Sequence, residues 1–350
     1  MSGTGLTRRE FLATTSAVAA AGSLPAWAQD KPASITVTAY GGIWEKALRE
    51  SFAECFKKKT GVGVTVMLGN SAQWMAKVQA SPQKPPLAIL INDPIGAFKA
   101  MELGLVEPIT PDKVPTLREI PAKFYEPWRS HGVAINFGNV GLGYSKKTVK
   151  NPPKGWKDFV EGAIRGDYKV TLPSITYPFT PLMTLWPIAN AYGGSVERID
   201  IAFEKIKAMK KNVVKFWADA VEHLQLMETG EADIGPYWDG RAWAYQIDKG
   251  ADWYGFHYPE PGGVTSGVII QKVKNTPDIA WQFIDCALTA EAQSTFANTV
   301  WYPATNPNTK YPAKIQPVLP KPGETVIPPF EELHKRTAAL VERWNKEIGG

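Results

Sequence analysis

Residues 35–48 read ITVTAYGGIWEKAL. Ile35, Val37 and Ala39 alternate with Thr36 and Thr38, which is the two-residue period of a strand. Tyr40-Gly41-Gly42 turns the chain, and a helix is predicted over about 44–59, with Leu48, Phe52 and Cys55/Phe56 at helical spacing. The same alternation continues outward from this unit. Gly61 closes the helix, residues 62–68 read as a second strand ending in Gly69-Asn70-Ser71, and a short helix is expected around 74–80. Residues 88–91 (AILI) form an unbroken apolar run, as in a strand buried on both faces of a parallel sheet. Asn92-Asp93-Pro94 then starts a helix whose apolar face is Ile95, Phe98 and Met101. Strands alternating with helices define an α/β fold with a mainly parallel sheet.

In such sheets ligands collect beyond the carboxyl ends of the strands, where loops meet helix N-termini. The loops in that position are Tyr40-Gly41-Gly42, Asn70-Ser71 and Asn92-Asp93. Asp93 has two readings, as a ligand for an amine or as the cap of the helix after Pro94. Trp44 and Trp74 lie just past loop ends, either walling a cleft or packing in the core.

A second α/β section follows the apolar, glycine-rich stretch 132–145 (GVAINFGNVGLGYS). It contains a strand at 170–172, and Tyr177-Pro178-Phe179 ahead of Thr180-Pro181, an N-cap and first-turn pair. A basic helix near 200–215 follows, then TGEADIGPYWDGRAWAY at 229–245, a strand at 267–273 and helices at 277–289 and 291–299. Trp301-Tyr302-Pro303 precedes a last helix at about 329–348. Nothing repeats at a fixed period.

The first residues set the compartment. Arg8-Arg9-Glu10-Phe11-Leu12, a short mild apolar run and Ala26-Trp27-Ala28 have the layout of an export signal, cleaved after Ala28. The paired arginines make it a twin-arginine signal directing the chain to the periplasm. Taking Arg8, Arg9 and Glu10 from the 39 basic and 34 acidic residues leaves a net +4. With no basic run longer than three, nucleic acid is not an expected partner. Cys55 and Cys286 are the two cysteines, each on the apolar stripe of a predicted helix, and are read as buried thiols rather than a disulfide. No metal-ligand spacing, nucleophile elbow, phosphate loop or dinucleotide motif occurs. No catalytic residue, metal site or cofactor is therefore assigned.

The order of these pieces resembles the periplasmic solute-binding proteins of ABC importers, closest to the spermidine/putrescine-type and iron-type receptors. The likeness runs along nearly the whole chain after residue 28. It rests on TAYGGIWEKAL (38–48), NVGLGYSKKTVKNPPKGWKDF (139–159), ETGEADIGPYWDGRA (228–242) and IAWQFIDCALTAEAQSTFA (279–297). It implies a two-lobe, type II periplasmic binding fold, each lobe a mainly parallel sheet flanked by helices, with the ligand cleft between them. Lobe 1 would comprise residues 29–136 plus 267–302 and lobe 2 residues 137–266 plus 306–350. Crossings near 136–140, 264–268 and 301–307 would join them, the last helix returning to lobe 2. The implied partners are a small-molecule solute and an inner-membrane permease, reached by a monomer that closes on its solute by hinge bending.

In the iron-type receptors the strand corresponding to 234–238 ends in two tyrosines that ligate ferric ion. Here the pair is Tyr237-Trp238, and indole nitrogen offers a metal no lone pair. Aromatic faces beside Asp239 suit an organic ammonium instead. Arg241 would repel a dication but clamp a carboxylate, so a polyamine-like amine and an amino-acid-like zwitterion both stand. Asp239 has an alternative role as a helix cap, and Arg241 as a solvated surface residue. The candidate ligand-binding set is Tyr40, Gly41, Gly42, Asn70, Ser71, Asn92, Asp93, Tyr177, Thr180, Tyr237, Trp238, Asp239, Arg241, Glu260, Trp301 and Tyr302. A ferric receptor of the same fold and, further off, a secreted enzyme are the competing readings.

Overall fold

The computed structural model describes residues 32–349 other than Pro178, so the export-signal reading lies outside the described residues. Ten strands form one mixed sheet: β1 (Ser34–Ala39), β2 (Gly63–Leu68), β3 (Ile89–Asn92), β4 (Val133–Ser145), β5 (Val170–Pro173), β6 (Val213–Trp217), β7 (Ile234–Trp238), β8 (Tyr254–His257), β9 (Gly263–Lys272) and β10 (Thr325–Val326). Their order is β2-β1-β3-β9-β4-β7-β5-β6, with β10 added to β9 and β8 to β4.

The pairing separates two parallel halves. β2, β1 and β3 run parallel, as do β7, β5 and β6, while β9 and β4 lie antiparallel between them. β3 is buried along its whole length, flanked by β1 and β9. Its unbroken apolar run is the consequence of that position. β4 and β9 pair from Val133↔Ile270 to Val140↔Val264, and Asn136 also bridges to Ala304. Three chain segments therefore cross between the halves side by side. This is an α/β fold with a curled mixed sheet. No helix among the described residues is long and apolar enough to cross a membrane.

Each half has its own apolar core. One gathers β1 with the helical stretch 43–60 and the helices Ala280–Leu288 and Ala290–Val300. The other gathers β4, β5 and β7 with the helices Trp156–Arg165, Asp200–Met209 and Phe330–Glu347. That last helix also reaches the first half. Phe330 lies against Trp128, His334 stacks on Phe98, and Glu331 pairs with Arg129 at 2.5 Å. At its other end Glu347 pairs with Lys207 at 2.8 Å and Trp344 meets Phe203 edge-on. An 18-residue helix is about 27 Å long, enough to touch both halves, so it does not return to the second half alone.

The cysteine reading is corrected. Cys55 and Cys286 form a disulfide, with Cα atoms 5.8 Å apart and 231 residues between them in sequence. Their helices are placed side by side by the sheet order, a non-local relationship that no sequence spacing encodes. Two local expectations also change. Asn70 starts the helix Ser71–Ala80 three residues early through a reciprocal capping box with Gln73. The expected basic helix ends at Met209, and residues 213–217 are the edge strand β6.

Candidate binding cleft

The aromatic end of β7 is the centre of the site. Trp238 closes the strand and caps the helix Asp239–Asp248. Its indole Nε1 donates to the Tyr177 hydroxyl at 2.9 Å, and Phe179 meets its ring edge-on at 5.1 Å. Tyr302 arrives on the third crossing segment. Its ring sits where a methyl on Gly138 would come within 2.9 Å and one on Gly240 within 2.6 Å. Those two positions are glycine because the ring needs that approach.

Arg241 stands in the first turn of the same helix, exposed to solvent yet ringed by protein. Burial opposes its charge, but the oxygens of Tyr302, Tyr237, Tyr177 and Asp219 outweigh that and raise its pKa. The guanidinium lies close enough to the Tyr302 phenol to oppose the rise that burial imposes on it. Among the described residues Arg241 has no carboxylate within salt-bridge distance. On the other half of the sheet, Tyr40 lies between Trp44 and Trp74, each with ring centroids 5.6 Å away. Burial, then Asp93, pushes its phenol well above the ordinary value, and Tyr177 is near enough to add to the effect. The Tyr40 hydroxyl is buried beside Ser71 without the geometry of a formed hydrogen bond.

Tyr40, Tyr177, Trp238, Arg241 and Tyr302 are thus brought together from both halves. Other candidates are committed to the protein itself. Asp93 accepts from the Ser71 hydroxyl at 2.7 Å and from the Gly96 amide at 2.8 Å, as the cap of the helix Pro94–Glu102. The Asn92 amide donates to Gln271 at 2.8 Å, and the Thr180 hydroxyl donates to the Ser174 carbonyl. Asp239 turns inward: Oδ2 accepts from Asn139 at 2.7 Å and Tyr258 at 2.9 Å, and Oδ1 from the Gly240 amide at 2.7 Å. Burial raises this carboxyl to about 6, and the three donors hold it from going further.

Tyr237 is fully buried, stacked on His223 at 4.0 Å with its hydroxyl donating to the Ala220 carbonyl at 2.8 Å. Burial pushes its phenol upward, away from the phenolate that a ferric site would need. Trp301 is also buried, its Nε1 donating to Asp248 at 2.9 Å. Gly41, Gly42 and Asn70 are exposed at the ends of β1 and β2. Glu260 stands apart, bridged to Gly155 and lining a depression of about 430 Å³ with Lys157, Asp158, Ala191 and Pro261. A second depression, of about 370 Å³ beside Cys55, is lined by none of the aromatic group. The sequence reading left Phe179 out of its candidate set although it named the aromatic run 177–179, and it missed Asn139 and Tyr258, each of which matters only through its partner in space.

Two parallel half-sheets, joined by crossing strands with an aromatic group where they meet, define the class of two-lobe solute-binding proteins. The comparisons agree. A model of the bacterial extracellular solute-binding proteins matches residues 51–319, and the chain belongs to that family. An extracellular solute-binding protein from Bordetella parapertussis is 28% identical, with a TM-score of 0.79 over 90% of this chain and 98% of its own. The structure of a GABA receptor is 21% identical, with a TM-score of 0.77 over 89% and 96%. A norspermidine sensor of Vibrio cholerae is 22% identical over 142 residues, 38% of this chain and 39% of that one. Membership of the family implies an exported protein that delivers a small molecule to an ABC permease.

Proposed function

We propose that this protein is the periplasmic receptor of an ABC importer for a small organic solute, either a polyamine-like amine or an amino-acid-like zwitterion. The observation that carries the reading is the convergence of Tyr40 from one half-sheet with Tyr177, Trp238, Arg241 and Tyr302 from the other. A flat aromatic face attracts an organic ammonium by about 0.5–2 kcal/mol per contact, and the guanidinium answers a carboxylate. The norspermidine sensor and the GABA receptor are consistent with organic nitrogen compounds as cargo. The ferric reading loses its second phenolate at Trp238 and has its first, Tyr237, bonded to the backbone.

The lobes would be residues 29–136 plus 267–302 and 137–266 plus 306–350, hinged on the crossing strands, with the monomer closing over its solute. Export through the twin-arginine route completes the proposal. Thermal unfolding of solute-free protein against amines, betaines, amino acids, carboxylates, thiamine and ferric citrate tests it. A solute at a hundred times its Kd stabilises by about 2.7 kcal/mol. A response to an organic member supports the reading, whereas a response to ferric citrate alone, with a visible absorption band, replaces it with the iron receptor.

A further inference from the structure

The charged groups around the aromatic cluster are not equally available. The sequence offers three carboxylates for an amine, Asp93, Asp239 and Glu260; Glu260 stands apart at Gly155, and the other two are turned to the protein. Asp93 holds Ser71 and the Gly96 amide; Asp239 holds Asn139, Tyr258 and the Gly240 amide. They are 6% and 1% exposed, so neither presents an acceptor to the cleft. An ammonium entering there would meet neither of them; the remaining carboxylate near the cluster is the exposed Asp219, which acts on Arg241 and whose Oδ1 accepts from the Val221 amide.

Arg241 is the opposite case. It is exposed, lacks an acidic partner at bonding distance among the described residues, and follows Gly240, against which the Tyr302 ring lies. It also sits in the first turn of the ten-residue helix Asp239–Asp248. A helix N-terminus carries a partial positive charge, so a cation there is unfavourable and an anion favoured. Helix end and guanidinium thus put two positive features on one side of the aromatic group. Tyr177 adds a second phenolic oxygen beside it, anchored by Trp238.

We propose that the solute carries a carboxylate, clamped by Arg241 beside the Tyr302 phenol, and that any cationic group it bears is met by aromatic faces rather than by Asp93 or Asp239. The class is therefore an amino-acid-like or betaine-like zwitterion, or a simple organic acid, rather than a polyamine, which has no carboxylate for Arg241. This narrows the receptor reading and rests on it.

The test uses pairs that differ only at the acid: γ-aminobutyrate against putrescine, glycine betaine against choline, and glutarate against cadaverine. Each is added to the protein after unfolding, dialysis and refolding to strip bound solute, and thermal unfolding and calorimetric titration are read. The acid member of at least one pair should stabilise the protein and its partner should not. Arg241→Gln should weaken that solute by roughly 100-fold, as expected for losing a charged hydrogen-bond donor set. Arg241→Lys should recover part of the loss, and both variants should keep the unliganded melting temperature. Stabilisation by the amine members alone, or unchanged affinity in Arg241→Gln, would overturn the carboxylate class while leaving the receptor intact. No response to either member of any pair, on protein shown to be empty, would count against the receptor reading itself.

Discussion

The Asn139 amide donates to the Asp239 carboxylate at 2.7 Å, and the same oxygen accepts from Tyr258 at 2.9 Å. This triad links β4, the start of the helix after β7, and the segment after β8. It locks the first turn that carries Arg241, so the acid most suggestive in sequence positions the base beside it.

Asp239 therefore leaves a mark on stability. Its folded pKa, about 6, lies above its ordinary 3.8, so the folded state holds the proton more tightly than the unfolded chain. The resulting stabilisation is complete below about pH 4 and is lost as pH rises through 6, by up to ~3 kcal/mol. Denaturant titrations of wild type and Asp239→Asn from pH 4 to 7 should show their difference falling by that order. A difference that does not change with pH would refute the assignment.

His223 has the opposite sign. Burial lowers its pKa to about 3, and it is neutral in the fold, with Nε2 3.0 Å from the Tyr254 hydroxyl. Its contribution is intact above about 6.5 and is lost as pH falls toward 3, by ~1.4 kcal/mol for each pH unit. His223→Gln should lose less stability than wild type between pH 6.5 and 4. Equal acid sensitivity in the two proteins would place the acid-labile group elsewhere.

The Cys55–Cys286 disulfide closes a long loop between two helices of the first half. Cross-links of this kind typically stabilise by about 2–4 kcal/mol, mainly by restricting the unfolded chain. Paired Cys55→Ser and Cys286→Ser substitutions, or reduction, should lower the guanidinium midpoint accordingly. An unchanged midpoint, together with two titratable thiols in native protein, would show that the bond is absent.

Gly138 tests the cleft by shape alone. A methyl there would lie 2.9 Å from the Tyr302 ring and 3.2 Å from the Trp238 ring. Gly138→Ala should displace Tyr302 from Arg241 and weaken solute binding roughly tenfold, on the order of 1.4 kcal/mol. The cost in stability should be about 1–3 kcal/mol, as for an overpacked site. Retained affinity would mean that Tyr302 does not hold the guanidinium in the bound state.

Much of the fold was legible because its signals are local. The alternation at 35–39, the apolar run at 88–91 and the glycine turns each report on a few neighbouring residues, and all lie where the strands of the first half were expected. β6 escaped notice because an edge strand with a charged and partly exposed face, VVKFW, has little period to read. In the site, Tyr40, Tyr177, Trp238, Arg241 and Tyr302 were named from their positions at strand and crossing ends, and they converge. Asp93 was even between cap and ligand, and the Gly96 amide shows it capping.

Short-range signals were enough for the α/β class, the strands of the first half and the kinds of side chain near the cleft, because periodicity, turn chemistry and residue type are properties of short segments. Only the tertiary structure decided which charges are free. Asp239 and Arg241 are two positions apart, yet one is enclosed by donors from residues 100 and 19 positions away and the other is left open. That division depends on β4 lying between β7 and β9, and the cysteine pairing depends on the same sheet order. Hydrogen-bond satisfaction in a buried site is settled by partners distant in sequence, and no reading of a single segment contains them.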